Sequence, residues 1–213
     1  MEEAVIAGVG IHKFGRFDNE SYVEIGRQAA VMALKDANMG IQDIQMVFCG
    51  AVFLPMSVGL RILTQLGRTG IPVIDVEAAC AASVACVRLA QMAVASGMYD
   101  KVLAIGVEKM PRGFMDPTLI FDKWQCLMGL SQNPAYWAMN ARRHMHDYGT
   151  TIEQIAKVAF KNHKNSVHNP YAMYQKAFSM GEILNSAVVN DPIRLLMICA
   201  PDEGAAAVVI CSE

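Results

Sequence analysis

The sequence predicts an α/β fold in which most strands of the sheet are parallel. Short apolar runs rich in β-branched and small residues alternate along the chain with segments of helical period, and parallel strands need such crossover helices between them. Of the 213 residues, 54% are hydrophobic and 18% are charged. This composition indicates a well-buried fold, part of whose surface is covered by another chain or domain.

Apolar runs and turn residues mark the predicted elements in order. Four buried strands are predicted, at 4–11, 46–53, 73–76 and 101–108. The apolar run that begins at Met46 extends to Leu60, and its second part reads as a loop. Helices of 3.6-residue period are predicted over 22–37 and 81–96. Two last apolar runs, 195–199 and 205–211, flank a turn rich in Pro, Asp and Gly, and therefore predict a hairpin.

The stretch 111–176 differs in composition from the rest of the chain. It contains both Trp and four of the five His residues, and helices are predicted over 134–147 and 151–163. We interpret it as an inserted loop and helical region. The predicted organisation is therefore an α/β core formed by 1–110 and 177–213, with the insertion between them.

Charge and cysteine usage exclude several classes of function. With 18 basic and 20 acidic residues, the formal net charge is -2, which argues against nucleic acid or an anionic membrane as a partner. The chain opens with acidic residues where a secretory signal carries basic ones, and it has no apolar run long enough to cross a bilayer. The six Cys residues lack zinc spacing, so we expect no metal and a reducing, cytoplasmic location.

Cys80 is the candidate for chemistry. It lies in the segment VIDVEAACAAS at 73–83, where a predicted strand runs into a predicted helix. Unpaired amides and the dipole at a helix N-terminus favour a thiolate, and the same amides can hold the oxyanion of an acyl intermediate. Thiolate attack on a thioester is easy, so this placement suits acyl transfer. By spacing alone, however, a Cys among alanines is more often a packed small residue.

Five features along the chain form one pattern: VIAGVG at 5–10, Cys80, GVEKM at 106–110, KNHKNSVHNPY at 161–171 and DEGAAA at 202–207. Together they resemble the thiolase superfamily, and most closely its sterol-carrier-protein-like branch. The resemblance implies the N-terminal half of the thiolase fold, with a mixed, mostly parallel five-stranded sheet and helices on both faces. It also implies an acyl-CoA thiolase that moves an acyl group between a 3-oxoacyl-CoA and coenzyme A through a thioester on Cys80.

The resemblance further implies where coenzyme A and its acyl group bind. Met128 lies in a segment that covers the acyl pocket in the family, while His163 and Lys164 lie in a loop that borders the thioester channel. Lys109 is a candidate for a contact with the phosphates of coenzyme A, like other cations near these motifs. Two alternatives stand beside these roles: His163 orders its loop through hydrogen bonds, and the cations are ordinary surface charges.

Two departures from the family pattern keep other functions open. Ser83 stands where the family usually carries Gly, and Glu77 stands where Asn is common and where its charge would disfavour a thiolate. Some relatives cleave 3-hydroxyacyl-CoA by a retro-aldol route, which needs no acyl-enzyme. The family's other catalytic residues lie in a second half, so we expect this chain to need a complementary C-terminal half. A non-catalytic assembly subunit is the third possibility.

The family also implies partners. We expect a homodimer formed through the sheet of the N-terminal half, which agrees with the apolar composition. Some relatives in this branch bind a small subunit with a zinc ribbon and an OB-like barrel.

Overall fold

A computed structural model of the chain describes residues 3–113, 115–119, 121–130 and 132–213. The chain forms two compact units, Met1–Met110 with Asp202–Glu213, and Pro111–Pro201. In the structure, residues 177–201 group with the second unit. The predicted domain boundary after residue 176 stays a prediction. Each unit is described by itself below.

The elements of the first unit are these. Its strands are β1 (Ala4–Ile11), β2 (Met46–Gly50), β3 (Val73–Val76), β4 (Lys101–Lys109) and β7 (Glu203–Ser212). Its helices are α1 (Tyr22–Asp36), α2 (Val58–Leu66) and α3 (Ala82–Ala95).

The five strands form one sheet in the order β1-β7-β4-β2-β3. β2 pairs in parallel with β3 and β4, whereas β7 pairs antiparallel with β1 and β4. Four of the five strands therefore point the same way, and β7 alone is reversed. The predicted mixed, mostly parallel five-stranded sheet is confirmed.

The predicted hairpin at the end of the chain is wrong. Only its second run forms a strand, and that strand, β7, inserts between β1 and β4. Instead of a strand, Leu195–Met197 forms a short 3-10 helix within the second unit. β7 has a hydrogen-bonded strand on each side, so it needs no hairpin partner of its own. Its apolar side chains are largely buried in the cores that the helices form on the two faces of the sheet.

Helices cover both faces of the sheet. On one face α1 and α2 pack on a core that includes Ile25, Ile62 and Leu103, and on the other face α3 packs on a second core that includes Cys86 and Val102. Helix α1 approaches β1 closely, since a Cβ on Gly10 would lie 2.1 Å from the carbonyl oxygen of Ala29. The Gly residues of β1 thus serve helix packing.

Helix α2 was not predicted, because the apolar run from Met46 was assigned to a strand and a loop. In the structure the strand ends at Gly50, and the chain becomes helical again at Val58. The Asp75 carboxylate accepts a 2.7 Å hydrogen bond from the amide of Gly59, which satisfies a free donor in the first turn of α2.

The second unit is mainly helical. Its helices are α4 (Lys123–Leu127), α5 (Asn133–Tyr148), α6 (Ile152–Ser166) and α7 (Met180–Leu184), and its strands β5 (Val188–Asn190) and β6 (Ile193–Arg194) pair antiparallel. The two long helices α5 and α6 confirm the predicted helices in this region. Within the described parts of the chain, no helix combines the length and apolarity that a membrane crossing requires.

Candidate functional site

The candidate site lies where the parallel strands of the first unit end. Gly50 of β2 is in register with Val76 of β3 and with Gly106 of β4, so the segments that follow these strands leave from one edge of the sheet. In open α/β sheets, ligands bind outside the carboxyl ends of the strands. Cys80 follows β3 at this edge.

Cys80 lies in a strained turn between β3 and α3. Ala79, the residue before it, has a φ of +47°, in the left-handed region that L-residues with a Cβ rarely adopt. This conformation costs about 1–2 kcal/mol for a residue other than Gly, and strain of this kind concentrates at functional sites. A short 3-10 turn, Ala79–Ala81, then leads into α3 at Ala82.

The side chain of Cys80 is exposed, in contrast to Cys49 and Cys86. Interpretation as a packed small residue therefore fits Cys86, which is completely buried, but does not fit Cys80. Burial, with a smaller effect of the nearby Asp75 carboxylate, raises the pKa of the Cys86 thiol to about 11. Burial likewise raises the pKa of Cys49, so both buried thiols are poor nucleophiles.

The first turn of α3 rests directly on two strands. A Cβ on Gly50 would lie 2.7 Å from the carbonyl carbon of Ala82, and a Cβ on Gly106 would lie 2.0 Å from Oγ and 2.5 Å from Cβ of Ser83. The two Gly residues thus make room for the backbone and for the Ser83 side chain. This close packing fixes the position of the N-terminus of α3 relative to β2 and β4, and Cys80 lies directly before this helix.

Two carboxylates hold the loops at this edge. Glu77 Oε1 accepts a hydrogen bond from the Ala79 amide at 2.6 Å. Glu108 Oε2, at the end of β4, accepts from the amides of Val52 and Phe53 at 2.8 and 3.1 Å, and so anchors the loop that follows β2. Glu77 was identified from the sequence as a departure from the family pattern, whereas the contact of Glu108 with the 52–53 loop has no signal in the local sequence.

A buried ion cluster, formed by Glu203 with Arg16 and Lys109, joins three segments of the first unit. Glu203 is 4% exposed, and its carboxylate pairs with Lys109 at 3.0 Å and Arg16 at 3.3 Å and accepts from the Phe17 amide at 2.8 Å. Burial by itself raises the pKa of Glu203, but the Phe17 amide, Lys109 and Arg16 outweigh it, so that pKa lies below its usual value.

The cluster corrects the predicted role of Lys109. Its ammonium group donates to Glu203 and also to the carbonyl oxygens of Phe17 and Glu20, at 2.6 and 2.9 Å. An ammonium group has three protons to donate, and these three acceptors use all of them. The suggestion that Lys109 contacts a phosphate of coenzyme A is therefore wrong.

The other predicted ligand contacts lie in the second unit. Met128 follows α4 directly and is 79% exposed. His163 and Lys164 both lie in the last turn of α6, where Lys164 is exposed. The ring nitrogen Nε2 of His163 lies 3.1 Å from the carbonyl oxygen of Leu196, and the ring packs edge-on against Phe178. His163 thus orders this region, and its contact with a ligand stays a prediction.

Comparison with known proteins identifies the class to which this fold and site belong. The model of the thiolase N-terminal domain matches residues 4–183, so the chain belongs to the thiolase family. It is 36% identical to an acetyl-CoA acetyltransferase of Methanothermobacter thermautotrophicus, with 99% of this chain and 57% of that protein covered. It is 35% identical to human sterol carrier protein 2, with 100% of this chain and 42% of that protein covered.

A solved structure agrees with these relatives. The Ltp2-ChsH2(DUF35) aldolase superposes with a TM-score of 0.84 at 28% identity, over 99% of this chain and 56% of that one. The resemblance to the sterol-carrier-protein-like branch and the thiolase fold are both confirmed. The chain spans about half the length of the curated relatives and of this structural neighbour.

Proposed function

We propose that the chain carries the nucleophilic cysteine of an acyl-CoA thiolase, and that Cys80 is this cysteine. The observation that carries the proposal is the exposed thiol of Cys80, which follows a strained turn at the N-terminus of α3 in a chain of the thiolase family. Acyl transfer to and from coenzyme A needs a thiolate in a setting of this kind.

The reaction proceeds in two steps. The Cys80 thiolate attacks the C3 carbonyl of a 3-oxoacyl-CoA, the bond between C2 and C3 breaks, and the electron pair stays on C2. Protonation of C2 releases acetyl-CoA and leaves the shortened acyl group on Cys80 as a thioester. The thiolate of a second coenzyme A then attacks this thioester, which forms the shortened acyl-CoA and frees Cys80.

Three residues of the second unit are proposed as contacts for the substrate. The exposed Met128 offers an adaptable apolar surface to an acyl group. Lys164 supplies an exposed cation for a phosphate of coenzyme A, at the end of the helix that also carries His163. Coenzyme A is thus a substrate of the proposed reaction, and the chemistry needs no metal.

The second candidate function is retro-aldol cleavage of a 3-hydroxyacyl-CoA on the same fold. It is favoured by the similarity to the Ltp2-ChsH2(DUF35) aldolase, a protein whose name includes a DUF35 component. In this reaction a base takes the proton of the 3-hydroxyl group, and the oxygen forms a carbonyl at C3 as the bond between C2 and C3 breaks. The electron pair of that bond stays on C2, which is protonated, so the products are an aldehyde or ketone and a shortened acyl-CoA, and no acyl group is attached to Cys80. With this second function we also propose that a small accessory subunit binds the protein that contains this chain.

Replacing Cys80 separates the two reactions. The natural protein or complex that contains this chain is assayed with acetoacetyl-CoA plus coenzyme A, and with a 3-hydroxyacyl-CoA, as wild type and as Cys80→Ala. Thiolase action predicts a loss on the order of 10³ or more in the first assay and an acetyl adduct on Cys80 by peptide mass spectrometry. Retro-aldol action predicts that Cys80→Ala keeps the second activity and that no adduct forms.

Cys199→Ala is the matched control, because Cys199 is also an exposed thiol but lies in the second unit. Its activity should equal that of the wild type in both assays. Turnover in neither assay, with no adduct on Cys80, would contradict both reactions and favour the non-catalytic assembly subunit.

A further inference from the structure

Glu77 is the polar side chain closest in sequence to the turn that presents Cys80. It follows the last residue of β3, and its carboxylate accepts a 2.6 Å hydrogen bond from the amide of Ala79. The two residues between Glu77 and Cys80 are alanines, with φ of -151° for Ala78 and +47° for Ala79. Ala lacks the side-chain oxygen with which Asn or Asp stabilises the left-handed region, so the alanines do not explain the turn themselves.

The conformation of Ala79 determines how Cys80 enters α3. Ala79 immediately precedes Cys80, so its dihedral angles set the direction of the next residue relative to the helix. Ala81, at the N-cap of α3, provides no side-chain hydrogen bond to the first turn. Cys80 therefore depends on the turn before it for its placement at the start of α3.

We propose that Glu77 is a positioning residue for Cys80, which acts by holding the Ala79 amide and with it the left-handed turn. The inference rests on the proposed nucleophilic role of Cys80. It also explains why a carboxylate is tolerated three residues before a reactive thiol. The Oε1 atom of Glu77 is engaged by the backbone, so this side chain builds the turn that presents the thiol.

Two substitutions separate the hydrogen bond from the charge. Glu77→Gln keeps an oxygen that accepts from the Ala79 amide but removes the charge, whereas Glu77→Ala removes both. The rate at which iodoacetamide alkylates Cys80 is measured in the natural protein or complex by peptide mass spectrometry. The exposed Cys199 of the second unit, labelled in the same sample, serves as the internal reference.

The Ala variant should lower the ratio of Cys80 to Cys199 labelling about fivefold, as expected for the loss of one hydrogen bond that holds the reactive conformation. The Gln variant should stay within about twofold of the wild type, because it keeps that bond. Hydrogen exchange in a peptide that spans 77–83 should become faster in the Ala variant only.

Asp43→Ala is the control in the same unit, because the Asp43 carboxylate also accepts a hydrogen bond from a backbone amide, that of Gly40 at 2.7 Å. Its labelling ratio should equal that of the wild type. Labelling of Glu77→Ala at the wild-type ratio, or equal slowing in the Gln and Ala variants, overturns the proposal. Alkylation needs no acyl transfer, so a failure of the proposed thiolase reaction does not affect this test.

Discussion

At the scale of single residues, Ser83 and Gly106 form a pair in which each explains the other. The Ser83 side chain occupies the space that Gly106 of β4 leaves open, since a Cβ on Gly106 would lie 2.5 Å from the Cβ of Ser83. Gly at 106 is therefore needed as long as residue 83 carries a side chain of this size.

Substitution of this pair should show strong coupling. Gly106→Ala places a methyl group against the Ser83 side chain, and overpacking of this kind costs about 1–3 kcal/mol. In a Ser83→Gly background both of the short contacts are removed, and the nearest remaining atom is the Cα of residue 83 at 3.5 Å, an ordinary contact. Urea unfolding of the wild type, both single variants and the double variant gives the coupling free energy, expected to exceed about 0.5 kcal/mol.

Additive effects of the two substitutions would contradict this account of Gly106. Gly113→Ala is a useful comparison, since no atom of the described residues, its two chain neighbours apart, lies within 4 Å of a Cβ built there. Its cost should come from the positive φ of 87° alone and should not depend on residue 83.

Residue roles could be predicted from the sequence only where they depend on local context. Cys80 was placed correctly at a strand-to-helix junction, because the apolar run before it and the helical period after it are both local signals. Lys109 was misassigned because its acceptors come from Phe17, Glu20 and Glu203, which lie far away in the sequence. No local pattern distinguishes such a lysine from one that contacts solvent.

At the scale of elements, the ion cluster of Arg16, Lys109 and Glu203 joins the segment after β1 to the ends of β4 and β7. Lys109 and Glu203 are register partners at the ends of their strands, and the main chain at Glu203 also pairs with Gly15. Removing one member of a buried pair leaves its partners without compensation for their charge.

Glu203→Gln should therefore destabilise the first unit at neutral pH by about 1–3 kcal/mol, because the partly buried Arg16 and Lys109 lose a charged hydrogen-bond acceptor. The pKa of Glu203 is lowered in the folded state, so its contribution is complete above the unfolded value of 4.5 and is lost as pH falls through the folded value. Urea unfolding from pH 7 to pH 3 should show the two proteins converging in acid.

Glu24→Gln provides the matched control. Hydrogen bonds from Arg27 and Gln28 lower the pKa of Glu24 to about 2, but the Glu24 side chain is 39% exposed. Surface pairs contribute about 0–1 kcal/mol, so this substitution should change the unfolding midpoint little. An equal loss in both variants at pH 7 would argue against a special role for the buried cluster.

Element types were predicted well where a pattern of helical period extends over many residues, as in α1, α3, α5 and α6. The errors have a common cause: an apolar run in the sequence does not show which strand it pairs with or where one element ends and the next begins. The run that became β7 was paired by the prediction with its neighbour in sequence, but the sheet places it between β1 and β4. The helix α2 was missed because its apolar residues directly continue the run of β2.

At the scale of the whole molecule, the predicted excess of apolar surface is present on the first unit. Ile74 of β3 is 48% exposed, and Val84 of α3 is 70% exposed. β3 is also an edge strand of the sheet, so one side of its backbone is open to pairing. Exposed apolar side chains beside an open strand edge are typical of a surface that another chain covers.

We therefore expect the homodimer to form at the β3 edge, and Ile74→Lys tests this expectation. A charge there opposes both strand pairing and apolar burial, so the variant should be monomeric at concentrations at which the wild type is a dimer. Analytical ultracentrifugation measures the change, with circular dichroism to check that the fold is kept. Val158→Lys, which alters a 59% exposed Val on α6, is the control and should remain dimeric. A dimer that survives Ile74→Lys with unchanged affinity would place the interface elsewhere.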